Sequence, residues 1–201
     1  MIALVVLAVL LAIAVPTFLG STGTADNRSA QSNLGTALTD AKAQFQNGGQ
    51  TYFVNGAQDS AAFAGLLTAA QLSLTFHAGS LGTATTQGSS GSLSTLSVAV
   101  SADGNGVVMA AFSIPGNCYY VVDNTMALST AAKAATPFAG TTAVTPIAVA
   151  APAGSIGLPS AAGTNYVQVK GDSTMSDCNA YTPKTSGSPV TVQYLTSGFP
   201  F

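Results

Sequence analysis

The sequence predicts an α+β fold: a long N-terminal α-helix, broken near Pro16, packed on a C-terminal antiparallel β-sheet globular domain. Three observations carry this. Residues 1–15, MIALVVLAVLLAIAV, are apolar without exception. Ala30, Leu34, Leu38, Ala41 and Phe45 then recur at spacings of four, four, three and four, which is one face of a helix. Residues 93–124 alternate strand-like runs with short Gly, Asn, Asp and Pro turns. The chain divides into an apolar helix with a Pro/Gly-containing segment (1–24), an amphipathic helix (25–49) and a β-rich head (50–201).

A helix that is apolar on every side calls for burial all round. Three arrangements provide it. A signal peptide needs a basic leading region, and no Lys or Arg precedes the apolar run. A free-standing membrane anchor is short at fifteen residues: at about 1.5 Å per residue it covers roughly 22 Å of a hydrocarbon core of about 30 Å. Thr17, Phe18 and Leu19 extend it past the proline. A bundle of copies of the same helix shelters every face. Its core then consists of Ile2, Leu4, Val5, Leu7, Leu10, Leu11 and Ile13.

Pro16 removes a backbone donor and crowds the preceding turn, so a break is expected there. Gly20 and Gly23 weaken the helix further. The amphipathic helix then starts, with Asp26 or Asn27 as its cap, and packs through Leu34, Leu38, Ala41 and Phe45 against the head. Gly48 and Gly49 end it.

Within the head, 61–74 suits a short helix and 82–92 a loop. Residues 93–101, 107–114 and 118–124 form a strand–turn–strand–turn–strand meander, in which Asp103-Gly104-Asn105-Gly106 supplies a tight hairpin. The alternation of Asp103 and Asn105 lacks the rest of a calcium loop and reads as a turn. Residues 129–163 read as a long surface loop with a short helix near Ala131 to Ala135, and 164–170 and 189–195 as later strands. Tyr119, Tyr120, Tyr166, Tyr181 and Tyr194 fall in or near strands and suit sheet packing. Cys118 and Cys178 suit a disulfide closing a loop of 60 residues, which the chain-entropy relation values at about 4 kcal/mol. The alternative is two unpaired buried thiols.

Composition excludes several functions. Only 6% of residues are charged, against about 25% in an ordinary domain. The cations are Arg28, Lys42, Lys133, Lys170 and Lys184; the seven acids are all Asp, and the net charge is −2. That balance argues against nucleic-acid binding. A surface of Ser, Thr, Gly and Ala favours lateral packing or decoration with sugars, and low charge promotes association. Asn27-Arg28-Ser29 fits the N-glycosylation triplet, and the Ser/Thr-rich loops suit O-linked glycans. The single histidine, His77, has no second histidine or glutamate to share a metal with. No nucleophile elbow, phosphate loop or close carboxylate pair is present, so the reading is of a protein that is not an enzyme, with no cofactor and no metal.

The first 47 residues resemble the N-terminus of a bacterial type IV pilin, a major pilin subunit. The resemblance rests on Ala14-Val15-Pro16-Thr17-Phe18-Leu19-Gly20, then Ala25, Ala30, Ser32-Asn33-Leu34, Ala37-Leu38-Thr39 and Ala41. Aligned on Pro16, Met1 falls about six residues after the usual mature start, so the family's aromatic first residue and its glutamate have no counterpart here. The remainder is similar only in outline: low charge, antiparallel strands and a C-terminal cysteine pair. The resemblance implies a subunit that polymerises into an extracellular, cell-surface filament supporting adhesion or twitching motility. Its implied partners are copies of itself, the inner membrane before assembly, and the pilus assembly machinery. Two further readings remain: a membrane-anchored surface binding module, and a minor pseudopilin of a secretion system.

Overall fold

The computed structural model describes residues 2–78, 94–114, 116–135, 138, 148–151, 154–171, 177–185 and 190–199; the side chains of 5, 14–21, 148–151, 155 and 185 fall outside that description. The chain is α+β, with helices on a mostly antiparallel sheet. Helix α1 (Ile2–Asn47) comes first, followed by α2 (Ser60–Ala70), β1 (Thr75–Ala78), β2 (Thr95–Val100), β3 (Gly106–Ser113) and β4 (Asn117–Asn124). Next are α3 (Thr130–Ala134), β5 (Ala148–Ala151), β6 (Gly154–Ser155), β7 (Gly163–Lys170), β8 (Lys184–Thr185) and β9 (Val190–Leu195). Among the described residues a seven-stranded sheet runs β1-β2-β3-β4-β7-β9-β5, and β6 pairs with β8 apart from it.

Helix α1 corrects one expectation. Its helical backbone runs unbroken from Ile2 to Asn47, through Pro16, Gly20 and Gly23, where the sequence predicts a break. Once a nucleus exists, each further residue adds a hydrogen bond at little entropic cost. The segment from Ala30 onward, packed on the head, provides that nucleus. Asp26 and Asn27 are therefore interior residues rather than caps. The helix stops after Asn47 as expected: Gly49 takes a φ of 80°, and the Gln50 amide bonds back to the Phe45 carbonyl at 2.9 Å.

The meander is present. β2, β3 and β4 pair antiparallel, with Val98 opposite Met109 and Val108 opposite Val122. β7 continues the sheet beyond β4, and β9 beyond β7. Successive side chains alternate between faces. Val107, Met109, Ala111, Tyr119 and Val121 enter the core shared with α1 and α2. Val108, Ala110, Tyr120, Val122, Val167 and Val169 enter a second core with Leu128, Phe138, Ile156 and Leu158. Burial on both faces explains why the central strands read as continuous apolar runs.

Two strands depart from expectation. β1 pairs parallel to β2, with Phe76 opposite Leu96. β5 lies inside the stretch expected as loop and pairs antiparallel with β9. The short helix expected near Ala131 is α3, capped by the Ser129 hydroxyl accepting from the Ala132 amide at 3.1 Å. Tyr119 and Tyr120 are buried, while Tyr181 lies outside the strands and is exposed.

The hairpin between β2 and β3 is organised by Asp103. Its Oδ1 accepts from the Ser101 hydroxyl at 2.7 Å and the Asn105 amide at 3.1 Å; its Oδ2 accepts from the Ser129 amide at 2.8 Å. Partial burial pushes the carboxyl up, but the bonds from Ser129, Ser101 and Asn105 hold it below the usual carboxylate range. A carboxyl depressed in the fold contributes stability above its unfolded pKa, about 3.9, and loses it as pH falls through the folded value. Stability is therefore expected to fall as pH drops below about 4, with a shallower slope in Asp103→Asn. Chemical denaturation of both proteins between pH 6 and pH 3 checks this.

Gly104 sits in this turn at a φ of 71°. A Cβ there meets the Thr51 hydroxyl and the Phe53 ring. Gly104→Ala is expected to destabilise the head by about 2 kcal/mol or more, read as a lower urea midpoint.

Candidate functional site: an exposed apolar helix

Helix α1 has two parts with opposite surroundings. From Ala30 on, it packs on the head: Ala30, Leu34, Ala37 and Ala41 are fully buried, and Leu38 and Phe45 are partly buried against the same cluster. Three alanines among the four buried positions let the helix lie close to the sheet. From Ile2 to Ile13 every described side chain is exposed. Ile2 is 83% exposed, Leu4 71%, and Leu7, Leu10, Leu11 and Ile13 between 55% and 63%. The side chain of Val5, the remaining expected core position, lies outside the described residues, as does that of Pro16.

At 100° per residue the large side chains of Ile2, Leu4, Val6, Leu7, Val9, Leu10, Leu11 and Ile13 reach most of the helix circumference, and Ala8 and Ala12 occupy the rest. Monomeric soluble proteins rarely expose apolar surface of this extent, and such surfaces mark association or membrane contact. At roughly 1.5 kcal/mol or more per large side chain, sheltering these eight from water is worth on the order of 12 kcal/mol. Residues 2–13 rise about 18 Å. Among the described residues no helix is long and apolar enough to cross a membrane.

Polar contacts fasten α1 to the head at two points. The Asn27 Oδ1 accepts from the Ser113 hydroxyl at 2.6 Å and from the Asn117 amide nitrogen at 3.0 Å, tying the helix to the β3–β4 end of the sheet. The Lys42 ammonium lies 3.3 Å from the Asp123 carboxylate on β4 and donates to the Thr164 hydroxyl on β7 at 3.0 Å. Thr164 in turn donates to Asp123, and the Tyr52 hydroxyl donates to its other oxygen at 2.6 Å. Asp123 is only 5% exposed. Burial first, then the hydrogen bond and charge of Asp123, push the Tyr52 hydroxyl pKa up, so it stays a donor. Sequence reading missed this cluster, because its members are far apart in the chain and carry no motif. The available signal was Asp123, a charge that directly follows the run Cys118-Tyr119-Tyr120-Val121-Val122 in β4.

The Asn27-Arg28-Ser29 triplet lies on α1 with its amide oxygen engaged by the sheet, not on a free loop. The Ser/Thr-rich loop expected at 82–92 lies outside the described residues. Cys118 and Cys178 form a disulfide with Cα atoms 5.5 Å apart, fully buried in the second core. Beside it the Tyr120 hydroxyl donates to the Asp177 carbonyl at 2.8 Å. His77 is exposed on β1, and no group of three or more His, Cys, Asp or Glu comes together among the described residues.

The geometry thus defines a class: a folded head that holds an apolar helix out into solvent. Comparisons with protein-family models, with curated proteins and with solved structures find no match.

Proposed function

We propose that this chain is a type IV pilin-like structural subunit, which polymerises through its N-terminal helix into an extracellular pilus filament supporting adhesion or twitching motility. One observation carries the reading: the exposed apolar helix of residues 2–13 extends from a head that buries only the later part of α1. Copies of the same segment are the simplest shelter for it. Lipid is about as apolar as leucine, so transfer from an inner-membrane pool to a filament core changes the hydrophobic free energy little. Exposure to water is costly, so subunits exchange at the membrane and stay assembled outside. The assembly machinery performs that transfer, and the disulfide-closed head forms the outer wall, which O-linked glycans decorate.

The same exposed helix also suits a membrane-anchored surface binding module, or a minor pseudopilin. Negative-stain electron microscopy of material shed by cells expressing the chain separates them. Long thin fibres containing this chain support the filament; their absence, with the chain retained in membranes, supports the tether.

A further inference from the structure

We propose that Asn55 is a self-modifying site: its side chain closes on the Gly56 nitrogen, releases ammonia and then hydrolyses to aspartate or isoaspartate. The chain contains three Asn-Gly steps, at Asn47, Asn55 and Asn105. Glycine has no side chain to hinder ring closure, so all three are chemically competent. The fold separates them. The Gly48 amide donates to the Gln44 carbonyl at 2.8 Å at the end of α1. The Gly106 amide donates to the Ser101 hydroxyl at 2.8 Å, and Gly106 is buried beside Asn124 and Leu128. Neither nitrogen is free to attack. Asn55, Gly56 and Ala57, by contrast, are all exposed. Among the described residues the Gly56 amide and the Asn55 side chain have no hydrogen-bond partner. Apart from its chain neighbours, no described atom lies within 4 Å of the place a Gly56 Cβ would take.

Asn55 and Gly56 take φ values of 53° and 76°, and two backbone bonds of 3.1 Å between Val54 and Ala57 close the turn. Ring closure requires this turn to open. The other two steps open only with the last turn of α1 or with the β2–β3 hairpin of the main sheet. An isolated, exposed pairing opens at far lower cost than either. In the open turn the Gly56 nitrogen gives up its proton and bonds to the Asn55 Cγ. The Cγ–Nδ2 bond breaks, and ammonia carries the proton away. Water then cleaves the cyclic imide. Cleavage at the Cγ carbonyl yields aspartate; cleavage at the backbone carbonyl yields isoaspartate, whose main chain runs through the Cβ. That longer main chain does not fit so tight a turn, and the Val54–Ala57 pairing is lost. The Tyr52 amide on the Gly104 carbonyl and the Gln58 amide on the Val100 carbonyl, each at 2.8 Å, confine the change to the residues between them. Either product adds one negative charge to a chain of net charge −2. The inference does not rest on the filament reading, because the reaction occurs within one chain.

The test incubates the full chain, dispersed in neutral detergent at mildly alkaline pH, and follows each Asn-Gly step by peptide mapping with mass spectrometry. A parallel sample is kept unfolded in urea with its disulfide intact. In the folded chain Asn55 is expected to convert at least about tenfold faster than Asn47 or Asn105, the factor that one net hydrogen bond supplies. Both aspartate and isoaspartate are expected at position 55, with one ammonia released per converted chain. In urea the three steps are expected to react at rates within about threefold of one another, because the fold no longer protects two of them. The proposal is overturned if Asn55 in the folded chain reacts no faster than the other two, or if its lead is as large in urea. The first result means that the turn does not open; the second means that local sequence, and not the fold, selects the site.

Discussion

Leu7→Asp combined with Leu10→Asp is expected to abolish filament assembly while leaving the head folded. Both side chains are more than half exposed on the single chain, and neither belongs to either core of the head. In a core of packed apolar helices each aspartate costs about 3 kcal/mol, near the value for a charge at the centre of a membrane helix. Two per subunit therefore cost about 6 kcal/mol. Since the penalty recurs in every subunit, a polymer cannot dilute it. The measurement is the yield of sedimentable fibres from cells making equal amounts of each protein. The disulfide and the tyrosine signals of the head serve as folding controls. Normal yield from the double variant removes residues 2–13 from the assembly interface.

Removing the disulfide is expected to have the largest effect on the head itself. Cys118 and Cys178 close a loop of 60 residues that contains α3, β5, β6 and β7. Without the link the unfolded chain regains entropy worth about 4 kcal/mol, a large part of the 5–15 kcal/mol that stabilises an ordinary domain. Both sulfurs lie in the second core, so Cys118→Ala with Cys178→Ala adds a small packing loss to the entropic one. A urea titration of the parent and the double variant measures the difference. An unchanged midpoint shows that the loop is already restrained in the unfolded chain.

Local features of this fold are legible in the sequence. The meander follows from runs such as VVMAAFS separated by short turns, and the β2–β3 register follows once the turn at Asp103-Gly104-Asn105-Gly106 is fixed. The packed face of α1 is visible in the spacing from Ala30 to Ala41, and the apolar character of residues 2–13 needs no structure at all. Non-local features are not legible. β1 has only four residues, and its parallel partner β2 lies 20 positions away, so no turn announces the pairing. β5 is an alanine- and valine-containing segment within a stretch of weak formers, and it is a strand because β9 offers it an edge. The Lys42–Thr164–Asp123–Tyr52 cluster exists only where α1 crosses β4 and β7. The continuity of α1 through Pro16 overrides a strong local preference, because helix propagation from a packed segment outweighs it.

On the proposed filament reading, residues 2–13 are sheltered by the same residues of sibling chains. Sedimentation velocity tests it on the intact chain moved from neutral detergent into plain buffer. Fast-sedimenting fibres are expected, with no boundary at the mass of one chain. A stable, dispersed monomer that retains residues 2–13 contradicts it.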